Sequence, residues 1–205
     1  MFWYIIGLLA GDGYLYDRKY QIGWVLNKKE NEIQNRIINF LKVYQRLGFV
    51  RKIHVIERKD NSVEIKIYSK RMFNLFKKFC EGKGRYKRIL IYPSELVKKI
   101  ELFSGLFDAE GSVVVYRNSP RAFFVTASEY IRATFEKLLQ DLNIRYYIYN
   151  DKSCFRFKLA ITDLRKINHM SIKLAGVGAV TASALSVGRS TGLSYGGFFN
   201  ITCSK

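Results

Sequence analysis

The sequence predicts an α+β fold made of two αββαββα repeats with antiparallel sheets. Two nonapeptides of almost the same pattern, residues 5–13 and 103–111, each read as an apolar helix. Pairs of strand-like runs follow each nonapeptide, and segments with helical spacing separate the pairs. The same order of elements therefore occurs twice, as an internal duplication would produce.

Small residues recur four apart within each predicted motif helix. Gly7 precedes Gly11 in the first helix, and Gly105 precedes Ala109 in the second. This spacing leaves one helix face without bulk, so that two backbones can approach closely. We expect the two motif helices to pack against each other.

Each motif helix ends in a carboxylate, Asp12 or Glu110. An anion at this end faces the negative end of the helix dipole, at a cost of about 0.3 to 1 kcal/mol. Two such anions side by side also repel, unless a cation lies between them, and a divalent oxygen-seeking metal is the simplest cation. The next residues, Gly13 and Gly111, predict left-handed C-terminal caps.

Hydrophobic spacing and turn residues place the remaining elements. Ile33, Ile37 and Leu41 have helical spacing before Gly48, and Asp60-Asn61 separates two alternating runs. The elements predicted after the first motif helix are strands 14–20 and 21–27, helix 32–47, strands 50–56 and 62–68, and helix 70–80. Those predicted after the second are strands 112–116 and 122–128, helix 129–142, strands 144–149 and 153–161, and helix 163–169.

Composition divides the chain into three predicted regions. Pro93 marks the boundary between a first repeat at 1–93 and a second at 94–169. Residues 170–205 form an extension rich in Gly, Ser and Ala, typical of a linker or tail. This extension either contacts phosphates through Arg189 or packs without a further role.

Charge indicates a polyanionic partner. The 205 residues include 35 Lys and Arg against 17 Asp and Glu, a net charge of +18. No apolar run is long enough to span a bilayer, and the opening segment lacks the basic start of a secretion signal. We therefore expect no membrane partner and a location in the cytoplasm, nucleoid or an organelle. Cys80, Cys154 and Cys203 are too few and too far apart for a zinc finger or disulfide framework.

The paired motifs and the order of segments around them resemble the LAGLIDADG family of homing endonucleases in its single-chain form. The resemblance covers about residues 1–170 and implies that the motif helices pack at a pseudo-twofold axis. It implies that the eighth motif residues, Asp12 and Glu110, bind catalytic Mg²⁺. The sixth motif position is Asp108 in the second copy but Ala10 in the first, a departure from the family pattern.

The resemblance also implies an activity and further site residues. A monomer encoded in a mobile intron would make a staggered double-strand break in a long, non-palindromic DNA site bound across a saddle of two sheets. Lys87 and Lys173 match a basic residue after the last helix of each half, although they also fit ordinary solvated lysines. Asn27 and Thr126 match a polar residue that orders water near the end of each second strand.

Strand alternation selects candidate DNA-binding residues. If Val63, Ile65 and Ile67 face the core, their neighbours face outward. Arg, Lys and Asn on such a face contact base edges or phosphates, and the alternative for each is a solvated outer face. The predicted DNA-binding residues are Tyr14, Tyr16, Arg18, Lys28, Glu64, Lys66, Tyr68, Arg117, Asn118, Arg121, Arg156 and Lys158.

Two binding functions are the alternatives to the nuclease. An RNA-binding intron maturase would use the same saddle for intron RNA. A DNA-binding regulator descended from the family would be expected to have lost a motif carboxylate. Because Asp12 and Glu110 are both present, the sequence favours the nuclease.

Overall fold

We describe the protein from a computed structural model, which covers residues 1–116, 119–151, 153–165 and 171–175. The first repeat consists of α1 (Phe2–Asp12), β1 (Gly13–Tyr16), β2 (Gln21–Asn27), α2 (Asn31–Arg46), β3 (Ile53–Glu57), β4 (Ser62–Tyr68) and α3 (Lys70–Lys77). A short hairpin of β5 (Cys80–Glu81) and β6 (Arg88–Ile89) follows. The second repeat consists of α4 (Leu96–Glu110), β7 (Gly111–Tyr116), β8 (Ser119–Thr126), α5 (Glu129–Asp141), β9 (Tyr146–Asp151), β10 (Cys154–Leu159) and α6 (Ile161–Leu164).

Each repeat contains one antiparallel four-stranded sheet. The strand orders are β1-β2-β4-β3 and β7-β8-β10-β9, so the two sheets have the same topology. Their registers also correspond, since Trp24 pairs with Gly13 and Ile65, whereas Phe124 pairs with Gly111 and Phe157. The predicted α+β fold of two αββαββα repeats is confirmed.

The two motif helices, α1 and α4, pack side by side and run in the same direction. A methyl group on Gly7 would lie 2.6 Å from the carbonyl oxygen of Leu102, and one on Gly105 would lie 2.0 Å from that of Tyr4. The backbones thus touch where the small residues were predicted. Apolar residues that flank these glycines are fully buried and join the cores of the two repeats.

The second helix of each repeat covers the core face of its sheet. Ile33, Ile37 and Leu41 of α2 are buried, as are their counterparts on α5. In the second repeat, the ring of Phe135 stacks on that of Phe124 with 3.6 Å between centroids. Helical spacing therefore identified the buried faces of α2 and α5 correctly.

The exits from the motif helices differ from the prediction. Gly13 has φ −94° and Gly111 has φ −89°, so both are extended and the expectation of left-handed caps is wrong. Each glycine is already the first residue of a strand. A methyl group at residue 13 would lie 2.6 Å from the Leu9 carbonyl oxygen, and one at 111 would lie 2.3 Å from that of Phe107. Glycine is required here for close approach.

The first hairpin is shorter than predicted. β1 ends at Tyr16, and a 3₁₀ turn at Asp17–Lys19 leads to Tyr20, whose φ of 48° is left-handed.

Among the described residues, no helix has the length and apolar character needed to cross a membrane. The predicted extension at 170–205 lies outside the described residues except for 171–175, and the division into 1–93, 94–169 and 170–205 stays a prediction.

Candidate functional site

Asp12 and Glu110 are the last residues of α1 and α4 and lie at the same end of the helix pair. Burial, the charge of Glu110 and that of Glu30 raise the pKa of Asp12 from 3.8 to about 8, against Lys173 and Lys87. Burial likewise raises the pKa of Glu110, although the same two lysines oppose it. The site therefore disfavours two ionised carboxylates and favours a bound cation.

The predicted lysines both reach these helix ends. The Lys87 ammonium donates to the carbonyl oxygen of Gly11. The Lys173 ammonium donates to the carbonyl oxygens of Ala109, at 3.3 Å, and Gly111, at 3.0 Å. Burial lowers the pKa of Lys87, and the charges of Glu110 and Asp12 oppose that effect. The structure thus places one lysine beside the end of each motif helix.

Asp108, the sixth residue of the second motif, holds the segment that carries Lys173. Its buried carboxylate accepts hydrogen bonds from the Tyr4 hydroxyl at 2.8 Å and the Ser171 hydroxyl at 2.6 Å. It also accepts from the backbone N–H groups of Ile172, at 2.8 Å, and Lys173, at 3.0 Å. The role of this position is therefore structural in the second copy.

The first copy has Ala10 at the sixth position, and a different residue fixes the segment of Lys87. Ser128, the N-cap of α5, donates through its hydroxyl to the carbonyl oxygen of Lys87 at 2.6 Å. The same hydroxyl accepts from the backbone N–H of Ile131, as an N-cap does. The second repeat thus supports the lysine of the first.

Glu30, at the N-cap position of α2, was missed from the sequence. Its Oε1 lies 3.3 Å from the Lys173 ammonium, and its Oε2 accepts from the backbone N–H of Asn27 at 3.0 Å. It is thus a third carboxylate close enough to raise the pKa of Asp12. The signal in the sequence that could have identified Glu30 was its acidic side chain at a helix start, close to the predicted site residue Asn27.

Asn27 and Thr126 are the last residues of β2 and β8, as predicted, but they do not correspond in register. Because Trp24 corresponds to Phe124, Thr126 corresponds to Leu26, one residue before Asn27. Thr126 is buried on the core side of its sheet and accepts from the backbone N–H of Ser128, whereas Asn27 is exposed. A shift of one residue reverses the side of the sheet that a side chain occupies. The role of either side chain in ordering water stays a prediction.

On the outer face of the first sheet, Glu64 points away from the core as predicted, but it is not exposed. Its side chain is buried beneath Tyr14, Arg58 and Lys66. The predicted neighbours of Glu64 behave as expected, since Tyr68 is exposed and Lys66 is partly exposed. Val63, Ile65 and Ile67 face the core as predicted.

On the outer face of the second sheet, Arg156 and Lys158 lie opposite two tyrosines that the sequence did not single out. Arg156 pairs with Tyr149, and Lys158 pairs with Tyr147. These tyrosines are 52% and 71% exposed. Exposed aromatic rings beside cations suit contact with nucleic acid, because bases can stack on the rings and phosphates can bind the cations.

The other predicted contacts occupy varied positions. Arg18 is exposed on the 3₁₀ turn, Tyr16 is half-buried, and Lys28 forms an ion pair with Glu57. The guanidinium of Arg121 lies 4.8 Å from the centre of the Tyr116 ring. Arg117 and Asn118 lie outside the described residues.

The donor set at the helix ends fits a hard divalent cation. Within the described ranges, no three His, Cys, Asp or Glu side chains group closely enough to hold a metal by themselves. Asp12 and Glu110 therefore offer two carboxylates, with carbonyl oxygens of the helix ends nearby. Mg²⁺ characteristically binds through one or two carboxylates and completes its shell with water and phosphate oxygens.

A family model matches part of the chain. Residues 97–171 match the family model described as a LAGLIDADG-like domain. A sequence comparison with curated proteins gives no match.

Solved structures match over most of the chain. I-DmoI in complex with DNA and Ca has a TM-score of 0.64 at 18% identity, over 86% of this chain and 96% of that one. I-DmoI with DNA and Mn has a TM-score of 0.60 at 20% identity, over 82% and 93%. Full-length DUF199/WhiA from Thermatoga maritima has a TM-score of 0.60 at 18% identity, over 93% of this chain and 61% of that one. Residues 97–171 therefore match a LAGLIDADG-like domain, and the chain has the fold of the homing endonuclease I-DmoI.

Proposed function

We propose that the chain is a divalent-metal-dependent endonuclease that makes a staggered double-strand break in a long, non-palindromic DNA site. The observation that carries the proposal is the joint placement of Asp12 and Glu110 at the ends of two parallel helices, each with a lysine at its side. A carboxylate whose pKa is about 8 is an unusual feature for a site that only binds nucleic acid.

Each group has a part in this proposal. Asp12 and Glu110 would hold Mg²⁺, which when bound supplies an activated water and stabilises charge on the phosphate. Lys87 and Lys173 place positive charge beside the carboxylates, where negative charge develops on a phosphate under attack. The outer faces of the two sheets and the net charge of +18 would hold the duplex.

Two finer points of the proposal concern assembly and origin. Both motif copies lie in one chain, so one molecule contains both carboxylates and we propose that it acts as a monomer. The likeness to a homing endonuclease supports encoding by a mobile intron.

The test is cleavage of a plasmid library that carries randomised duplex inserts, with Mg²⁺ or with EDTA. The variants are Asp12→Asn and Glu110→Gln, and the matched control is Glu95→Gln, which changes an exposed carboxylate at the start of the same helix, α4. We expect linearisation by the wild type and the control with Mg²⁺ only.

Sequencing of the linearised plasmids would give the target site. Tight DNA binding without cleavage by the wild type would reject the nuclease. Preferential binding of structured RNA over duplex DNA would instead support an intron maturase.

A further inference from the structure

The centre of the outer face of the first sheet is a buried acid surrounded by cations. Glu64 lies on β4 between Val25 of β2 and Ile56 of β3. Its Oε1 accepts from the Arg58 guanidinium at 2.8 Å, and its Oε2 from the Lys66 ammonium at 2.9 Å. Only 6% of Glu64 is exposed, so its carboxylate is enclosed by the side chains that it binds.

Tyr14 closes the remaining side of this cluster. Its hydroxyl donates to Glu64 Oε1 at 2.6 Å and accepts from Gln21 at 2.5 Å. The Tyr14 ring crosses Gly23 on the next strand, where a methyl group would lie 2.4 Å from it. A glycine at that position thus leaves room for the ring that covers the acid.

Glu64 remains ionised within the cluster. Burial acts to raise its pKa, but hydrogen bonds from Tyr14 and Lys66 and the charge of Arg58 outweigh burial and lower it. The carboxylate therefore holds both cations by charge-assisted hydrogen bonds, which are stronger than neutral ones.

The second sheet has a cation at the equivalent position. Because Ile65 corresponds to Phe157, Glu64 corresponds to Arg156 and Lys66 to Lys158. In the part of the chain that the structure describes, neither Arg156 nor Lys158 forms an ion pair. The two sheets therefore present their charges differently: a carboxylate holds two cations on the first, and a cation takes the place of that carboxylate on the second.

Cations that a carboxylate holds make a particular contribution to recognition. Arg58 is 40% exposed at its side chain and Lys66 is 18% exposed, so both retain donors that can face a duplex while their positions are fixed. Donors that are fixed before binding lose less conformational freedom when they bind DNA. They also accept fewer arrangements of the group that they contact. The carboxylate also offsets part of their charge, which reduces attraction to phosphates in general.

We propose that Glu64 is a positioning residue that fixes Arg58 and Lys66 as a pair of base-reading donors, so that the first sheet discriminates sequence while Arg156 and Lys158 of the second sheet chiefly grip the DNA backbone. This inference rests on the proposed DNA function but not on cleavage. The expected contacts are with guanine edges, which accept from Arg and Lys in the major groove.

The test is selection of bound sequences from a pool of randomised duplexes in EDTA, where cleavage cannot interfere. The variants are Glu64→Gln, Arg58→Gln and Lys66→Gln, and the matched control is Arg156→Gln at the equivalent position of the second sheet. Thermal unfolding of each variant is measured in parallel. The exposed Arg58 variant keeps the test valid if Glu64→Gln does not fold.

We expect two effects of Glu64→Gln. Affinity for the unselected pool rises severalfold because a negative charge is lost, while discrimination falls about tenfold at neighbouring base pairs. Arg58→Gln and Lys66→Gln lose discrimination at those same base pairs. Arg156→Gln lowers affinity for the pool and leaves the preferences over the first sheet unchanged.

Three results would overturn the proposal. The first is a loss confined to one cytosine-containing base pair in Glu64→Gln, since Glu64 would then read a base itself. The second is unchanged preferences in Arg58→Gln and Lys66→Gln. The third is a wild type that binds duplexes without any sequence preference; failure to bind duplexes at all would instead reject the proposed function.

Discussion

The Lys173 ammonium lies 3.3 Å from Glu30 Oε1, and this ion pair joins the described segment 171–175, which follows the second repeat, to the start of α2 in the first. The reverse connection also exists, since Ser128 at the start of α5 donates to the carbonyl oxygen of Lys87. Lys87 of the first repeat thus contacts the second repeat, and Lys173, which follows the second repeat, contacts the first. The two halves of the candidate site depend on each other through these contacts as well as through the motif helices.

Lys87→Met and Lys173→Met should each slow cleavage by about 100-fold, because each removes a positive charge beside the reacting phosphate. Since Lys87 lies at the end of α1 and Lys173 at the end of α4, the two variants should slow different strands. Separate labels on the two strands of the target duplex would measure this. Lys98→Met, on the exposed side of α4, is the control, and slowing of the same strand by both variants would contradict the assignment.

The raised pKa of Asp12 should make stability depend on pH when no metal is present. Between its ordinary pKa of 3.8 and its folded value of about 8, the folded chain keeps a proton that the unfolded chain has released. Stability should therefore fall as pH rises through this window. Asp12→Asn removes this contribution, so its Tm advantage over the wild type should grow with pH.

The measurement is thermal unfolding in EDTA across that pH range, repeated with Ca²⁺ or Mg²⁺. A divalent cation favours the ionised carboxylates, so it should raise the Tm of the wild type more than that of Asp12→Asn. Glu95→Gln serves as the exposed control. Equal effects of metal on all three proteins would show that Asp12 does not bind the cation.

Asp108→Ala should destabilise the fold by about 3 kcal/mol or more, because it leaves two hydroxyls and two backbone N–H groups without their acceptor. Ser104→Ala is the matched control on the same helix. The Ser104 hydroxyl is buried and has no hydrogen-bond partner among the described residues, so its removal should cost little. Chemical denaturation of both variants would measure the difference, and equal stabilities would contradict this account of Asp108.

Gly105→Ala separates helix propensity from packing. In an isolated helix, alanine would stabilise by about 1 kcal/mol relative to glycine. Here the added methyl group would lie 2.0 Å from the Tyr4 carbonyl oxygen, and two backbones cannot yield as a flexible side chain does. We expect a net loss of about 2 to 4 kcal/mol. Lys98→Ala, exposed on the same helix, should be close to neutral in the same denaturation experiment, and a stabilised Gly105→Ala would show that the helices can separate.

Local patterns predicted much of the fold because local physics decides it. The strand at Ser62–Tyr68 was predicted with its correct bounds, since Asp60-Asn61 forces a turn and alternation of apolar residues follows. At Gly13 the same reasoning failed because glycine has two uses. The sequence suggests a left-handed cap at this glycine. In the structure its backbone is extended, and the absence of a side chain lets it approach Leu9 closely.

Long-range contacts explain what the sequence left out. Glu64 alternates as an outward residue should, yet Tyr14 from another strand and Arg58 beyond the turn bury it. Glu30 was overlooked because its partner, Lys173, lies far along the chain, after the second repeat. Asn27 and Thr126 were paired by their places near strand ends, and only the register shows that they face opposite sides.

The close approach of Gly7 and Gly105 also limits how the two repeats of this chain can be exchanged. Hybrids that join one half of this chain to half of another protein would keep this helix contact, which has no room for a side chain at either glycine. A foreign half is compatible only if it brings glycine where Gly7 or Gly105 now lies. This helix contact therefore restricts which repeats can be exchanged, before any surface residue is redesigned.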